Sequence, residues 1–140
     1  MKSLVKIIMF FLIVPMSGCS SVEVKNDAKV AFENIEYDFG EITYNDAVDC
    51  NFKFTNTGKT ALIIQNVKSS CGCSVPEWVK KPIPPGKKSE IKINYDTSYP
   101  GVFNKTITVF YNGIESPQTL TIKGSVQYPG NFKDNKKEEL

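Results

Sequence analysis

Val48, Cys50, Phe52 and Phe54 alternate with Asp49, Asn51, Lys53 and Thr55, and the run stops at Asn56-Thr57-Gly58-Lys59. A period of two sends the apolar side chains to one face of a strand and the polar ones to the other. Such a segment suits a sheet with one buried and one wet face, and Asn-Thr-Gly-Lys is a turn signal. The period recurs where Ile91, Ile93 and Tyr95 alternate with Lys92 and Asn94, and again through Leu120, Ile122, Gly124 and Val126. Phe32, Ile35, Tyr37 and Phe39 open the domain and Gly40 breaks their run, while Ala61 to Val67 reads as a further apolar strand. Thr106 to Tyr111 is rich in β-branched and aromatic residues, and Asn112-Gly113 is read as the tight turn that closes it. No segment keeps a helical period. About seven short strands, with turn signals at roughly 8–12-residue spacing, predict an all-β sandwich. Pro82, Pro84 and Pro85 lack backbone donors, so they belong to a loop leading to a strand at Ser89.

Composition narrows the chemistry. The chain has no His and no Arg; its positive charge is Lys alone, 17 against 15 Asp plus Glu. Without His, neither a Ser-His-Asp triad nor a Cys-His dyad forms, and no imidazole is available to a metal. Without Arg, bidentate clamps on phosphate or carboxylate are missing. A near-neutral charge balance argues against a nucleic-acid surface. The expectation is a non-catalytic domain. A carboxylate-based glycan hydrolase would need a pair of Asp or Glu across a cleft, and nothing in the sequence selects one.

The first residues have an export pattern: Lys2 and Lys6, the eight apolar residues Ile7 to Val14, then Met16-Ser17-Gly18 before Cys19. The run is too short to span a bilayer, which takes about 20 apolar residues. Cysteine directly after Ser-Gly resembles the bacterial lipobox. Residues 1–18 are therefore expected to be a signal peptide and Cys19 a lipidated N-terminus carrying diacylglycerol and palmitate-type acyl chains. Residues 19–29 would be a polar tether, 30–126 the sandwich and 127–140 a flexible charged tail. The membrane is thus an expected partner, through the anchor. Ser20 in place of Asp tilts the expected location to the outer membrane of a bacterial envelope.

A longer order of motifs runs through the body. Phe39-Gly40-Glu41-Ile42 is followed by Phe52-Lys53-Phe54-Thr55-Asn56-Thr57-Gly58, Leu62-Ile63-Ile64, Val67 and Ser70-Cys71-Gly72-Cys73. Trp78, Pro82-Ile83-Pro84-Pro85-Gly86, Ile91-Lys92-Ile93, Tyr95-Asp96-Thr97, Gly101, Lys105 to Val109 and Ile122 to Val126 complete it. This set resembles Domain of Unknown Function 1573, a bacterial family related to the Hydin-like immunoglobulin modules. The resemblance implies an immunoglobulin-like antiparallel β-sandwich in secreted or lipid-anchored proteins, many from Bacteroidetes. It implies no established reaction, and it maps the family's thiol pair onto Cys71 and Cys73.

Cys50 shares the inward parity of Phe52 and Phe54 and is read as a small buried hydrophobe. Cys71-Gly72-Cys73 sits at a strand end, before a loop expected to hold Trp78 and the prolines. Three readings compete for it. The pair closes a small, exchangeable disulfide ring; or two thiolates hold a soft ion such as Cu(I), which suits the pair better than zinc with its four ligands; or both cysteines only pack the sandwich edge. Beyond the lipid, no cofactor is otherwise expected. Trp78 reads as a lid on the core, Tyr95 as core and Asp96-Thr97 as a turn. Lys80-Lys81 and Lys87-Lys88 flank the proline loop; solvated loop is the first reading, an anionic partner the second. The preferred function is an envelope interaction or scaffold module contacting an unidentified envelope protein or polymer. The alternative is a thiol-based redox or Cu(I)-binding factor.

Overall fold

The computed structural model describes residues 27–128 and Gly130. Eight strands form two four-stranded sheets: β1 (Val30–Phe32), β2 (Glu36–Ile42), β3 (Val48–Asn56), β4 (Ile64–Ser69), β5 (Ser74–Trp78), β6 (Lys88–Tyr95), β7 (Gly101–Tyr111) and β8 (Gln118–Val126). One sheet is ordered β1-β3-β6-β5, the other β2-β8-β7-β4. This is the expected two-sheet sandwich. Cys50, Phe52 and Phe54 of β3, Ile91, Ile93 and Tyr95 of β6, and Leu120, Ile122 and Val126 of β8 all face the core, as their alternation requires. Tyr95 stacks across the sandwich on Phe103, ring centroids 4.0 Å apart, so one aromatic pair ties the two sheets together. Gly124 has no side chain because a Cβ there would press on the Phe103 ring and the Gly40 carbonyl.

Four details depart from the sequence reading. The opening run splits: β1 pairs with β3 in one sheet, whereas β2 pairs with β8 in the other and runs parallel to it. The second sheet is therefore mixed rather than purely antiparallel. Ile35 stays exposed because the chain crosses between sheets there, and Tyr37 stays partly exposed on β2, the edge strand of its sheet. Gly40 does not end β2; it takes a positive φ of 65° within a register shift between Asp38 and Glu41, a conformation glycine adopts without Cβ strain. Ala61 to Val67 is not one strand: Leu62 makes only an isolated bridge to Ile83, and β4 begins at Ile64. Asn112-Gly113 is not a two-residue hairpin turn, because residues 112–117 all separate β7 from β8. Asn112 instead works as a clamp, its side chain accepting from Ile63 N and donating to Ala61 O, at 2.8 and 2.9 Å.

The sandwich has two poles. At one, which we call proximal, Asp27–Lys29 brings the chain in. Thr57 N donates to Lys29 O and Lys59 N to Asp27 O, and Ala28 is buried. Gly58 and Gly113 face this segment so closely that an added Cβ on either would overlap its backbone. The 57–63, 79–87 and 112–117 connections meet there. Asn56 fastens them. It is fully buried; its amide donates to Thr60 O and Ile83 O, both at 2.9 Å, and its side-chain oxygen accepts from Gly58 N at 3.0 Å. Its backbone adds bonds to Lys87 O and Gly86 N. At the distal pole, the 43–47, 70–73 and 96–100 turns meet the end of β8, with Thr97 donating to Asp46 O at 2.6 Å.

Candidate functional site

The turn from β4 to β5 carries the chain from one sheet to the other at the distal pole. Ser70 N donates to Thr106 O, its hydroxyl accepts from Thr106 N, and Asp96 N donates to Cys73 O. Both ends of the turn are therefore held by backbone bonds before the cysteines contribute. Between them Cys71 and Cys73 form a disulfide, Cα atoms 5.3 Å apart. A Cβ added at Gly72 would meet nothing within 4 Å, so the turn faces open space there. Ser69 caps the other side, its hydroxyl 3.9 Å from the Cys71 sulfur.

The disulfide lines a pocket of about 450 Å³ together with Gly72, Asp96, Tyr99 and Lys105. Asp96 and Tyr99 come from the β6–β7 turn and Lys105 from β7, so three separate segments build the site. Asp96 is held below the usual carboxylate range by hydrogen bonds from the Ser98 hydroxyl and backbone, and it stays anionic at neutral pH. A cation, a carboxylate, a phenol and a disulfide thus share one recess. Tyr99 is 65% exposed and stands as a contact residue rather than a wall. The sequence named Cys71 and Cys73 but did not single out Tyr99 or Lys105. No local pattern joins them to the cysteines, because the β6–β7 turn meets the β4–β5 turn only in the folded chain.

The other singled-out residues fall as follows. Cys50 is buried and unpaired, away from the disulfide; burial first, and then the neighbouring Asp49 charge, push its thiol up to about 12. Trp78 belongs to β5 rather than to a loop; it packs against the core and its indole donates to Ile64 O at 3.3 Å, so it closes the sandwich edge. β5 escapes the sequence reading because Pro76 and Glu77 interrupt its alternation and it lies at an edge, where proline is tolerated. Tyr95 is in the core and Asp96-Thr97 in the turn. Cys19 lies outside the described residues. Among those residues no group of three or more Cys, Asp or Glu is placed to hold a metal ion. With Cys71 and Cys73 joined, neither offers a thiolate, so Cu(I) would require the reduced pair.

The family model described as protein of unknown function (DUF1573) matches residues 30–126. The chain belongs to the DUF1573 family. No curated protein matches the sequence. Among solved structures, this DUF1573 domain is similar to a protein of unknown function from Porphyromonas gingivalis W83, with TM-score 0.65 and 12% identity. That match covers 77% of this chain and 51% of the other, so this chain spans about half of that protein's length. It is similar too to the ASH/PapD-like domain 7 of human CEP192, with TM-score 0.62 and 10% identity over 89% of this chain and 99% of that one. A third likeness, to the Vibrio cholerae VesB protease, has TM-score 0.54 and 12% identity and covers 74% of this chain and only 32% of the protease. At these identities the likeness is one of fold. It carries no protease chemistry to a DUF1573 chain that has no His.

Proposed function

We propose that this DUF1573 chain is a lipid-anchored envelope protein whose sandwich is a non-catalytic interaction module, with its distal pole turned toward a protein or polymer partner. One observation carries the reading. Asp27–Lys29, the segment that follows the Cys19 tether, is built into one pole, while the disulfide-closed turn stands at the other. An anchor at Cys19 leaves the distal pole as the part free to meet a partner. Exposed Tyr99, Val102 and Tyr128 sit there, with the Tyr128 hydroxyl beside Gly101. Aromatic side chains on a rigid, bonded turn make contacts at low conformational cost.

Two measurements test this. The intact mass of natively purified protein should correspond to a chain starting at acylated Cys19; a soluble product beginning at Met1 removes the anchor. Photo-crosslinkers placed at Tyr99 and Val102 should trap one reproducible envelope partner, while one at Lys53, on the side of the sandwich, should not. Equal trapping from all three positions defeats the distal-pole assignment.

The shared pocket supports a second reading, thiol–disulfide exchange. A thiolate of an envelope dithiol would attack one sulfur of the Cys71–Cys73 bond, and the other sulfur would leave as a thiolate beside Lys105. The partner's second thiolate would then break the mixed disulfide. The partner loses two electrons and two protons and becomes a disulfide; Cys71 and Cys73 gain both and become a dithiol able to take Cu(I). Replacing both cysteines with Ser should abolish exchange with a small dithiol and copper binding after reduction. Unchanged values dispose of this reading.

A further inference from the structure

Lysines and carboxylates are not spread evenly over the sandwich. Lys29, Lys59, Lys80, Lys81, Lys87 and Lys88 are all exposed, and the register places every one of them at the proximal pole. Lys59 follows the Asn56–Gly58 turn, Lys80 and Lys81 extend beyond β5, and Lys87 and Lys88 lead into β6 beside Asn56. The carboxylates in these segments are Asp27 and Glu115, with Glu33 and Glu90 just below, Glu33 paired to Lys88 at 3.1 Å. The distal half has the opposite balance. Asp38, Glu41, Asp46, Asp49 and Asp96 are exposed there; of its lysines, Lys92 is engaged with Asp49 and Lys123 with Glu36 and Asp38, which leaves Lys105 in the disulfide pocket against those five carboxylates. The described residues are therefore a dipole in three dimensions, and its positive end is the end where Asp27–Lys29 arrives.

A second observation concerns the tip of that end. Ile114, in the β7–β8 loop, is 77% exposed, and Ile63, clamped by Asn112 in the neighbouring connection, is 37% exposed. Apolar side chains among lysines fit the boundary between headgroups and acyl chains, where charge stays wet and the hydrocarbon is buried. A third is the length of the leash. Seven residues separate Cys19 from Asp27, so even fully extended the connection spans at most about 30 Å. The proximal pole cannot leave the neighbourhood of the bilayer, whatever the tether does.

We infer that the proximal pole docks on the membrane itself: Lys29, Lys59, Lys80, Lys81 and Lys87 sit on anionic phospholipid headgroups and Ile114 enters the interface, so that the anchored sandwich stands upright with the disulfide turn outward. This rests on the anchored reading above and adds an orientation to it. The anchor holds the lysines within reach, and the surface potential acts on each within a Debye length, about 8 Å at physiological ionic strength. Position decides for lipid over a soluble anionic polymer, since the lysines face the side from which the lipid-bearing segment comes.

The test uses the full lipidated protein on vesicles of phosphatidylcholine alone or with phosphatidylglycerol, with flotation and amine labelling read together. On the anionic vesicles, labelling of Lys59, Lys80, Lys81 and Lys87 should fall by about threefold or more relative to the neutral ones, because lysines at an anionic surface are attracted additively. Lys53 and Lys68, on the sides, should not change. The protection should vanish in 1 M salt, where the Debye length is about 3 Å. A variant with Lys59, Lys80, Lys81 and Lys87 all changed to Gln should still float, and its Lys29 should lose protection. Flotation with both vesicles but equal labelling on them overturns the docking and leaves the anchor standing. Protection that appears only on adding heparin assigns the pole to a polymer and overturns it as well. Failure to float with neutral vesicles sinks the anchor; salt-sensitive flotation with anionic vesicles then still supports the docking, and no flotation with either removes both.

Discussion

Asn56 ends β3 on the inward parity of Phe54, and it is the polar residue on which the proximal connections converge. A turn-forming Asn is ordinary in sequence; one that is fully buried and satisfied on both its amide and its carbonyl is a structural fastener. Asn56→Ala strands two carbonyls and one N–H in a buried site, and unsatisfied buried groups cost about 1–3 kcal/mol each before relaxation. Chemical denaturation should show a loss of about 3 kcal/mol or more for this variant. Asn56→Asp is nearly isosteric but sets a carboxylate against two carbonyl oxygens, so at neutral pH it should cost more than Ala. Cys50 makes a different kind of prediction. Its thiol is pushed from an ordinary value of 9.0 up to about 12 by burial. A raised folded value means the folded state keeps the proton longer, so this contribution to stability is complete below pH 9 and is lost as the pH climbs toward 12. Over that window wild type should lose stability faster than Cys50→Val by up to about 1.4 kcal/mol per pH unit.

The β4–β5 turn shows how little of its geometry depends on the disulfide. Ser70 is bonded to Thr106 through both its amide and its hydroxyl, and Cys73 O receives Asp96 N, so the strands on either side already fix where the chain must turn. The ring closed by Cys71 and Cys73 spans only two residue steps. Chain-entropy arguments give so short a loop a stabilisation below about 2 kcal/mol. Replacing both cysteines with Ser should therefore lower the unfolding free energy by less than about 2 kcal/mol and leave the circular dichroism spectrum unchanged. A larger loss would mean the disulfide, rather than the flanking bonds, holds the switch between sheets. β2 makes the complementary point. Its residues alternate poorly and most stay exposed, and what makes it a strand is the β8 edge it lies along.

Across the whole molecule, two sheets share one core, and the connections between them sort the surface into a basic end and an acidic end. The inward faces of β3, β6 and β8 were legible in the sequence because a period of two is a local property: each residue's face follows from its neighbours and from the need to bury Phe, Ile and Leu. The family motifs were legible for the same reason, each being a short contiguous run. The β2–β8 pairing was not, since Glu36 lies against Thr121 across most of the chain, and no local pattern tells a parallel partner from an antiparallel one. Nor was the pocket legible, because Lys105 and Tyr99 reach Cys71 and Cys73 only when β7 packs beside β4. Nor was the separation of charge: the lysines come from three segments that look like independent solvated loops until the bonds of Asn56 and of Asp27–Lys29 draw those segments to one end. The sequence by itself determined that the chain is a β-sandwich, which side chains of its best strands face inward, and that His- and Arg-based chemistry is absent. Only the tertiary structure decided which strands pair, what surrounds the disulfide and where the charge lies, because those properties belong to residues that are far apart along the chain and adjacent only after folding.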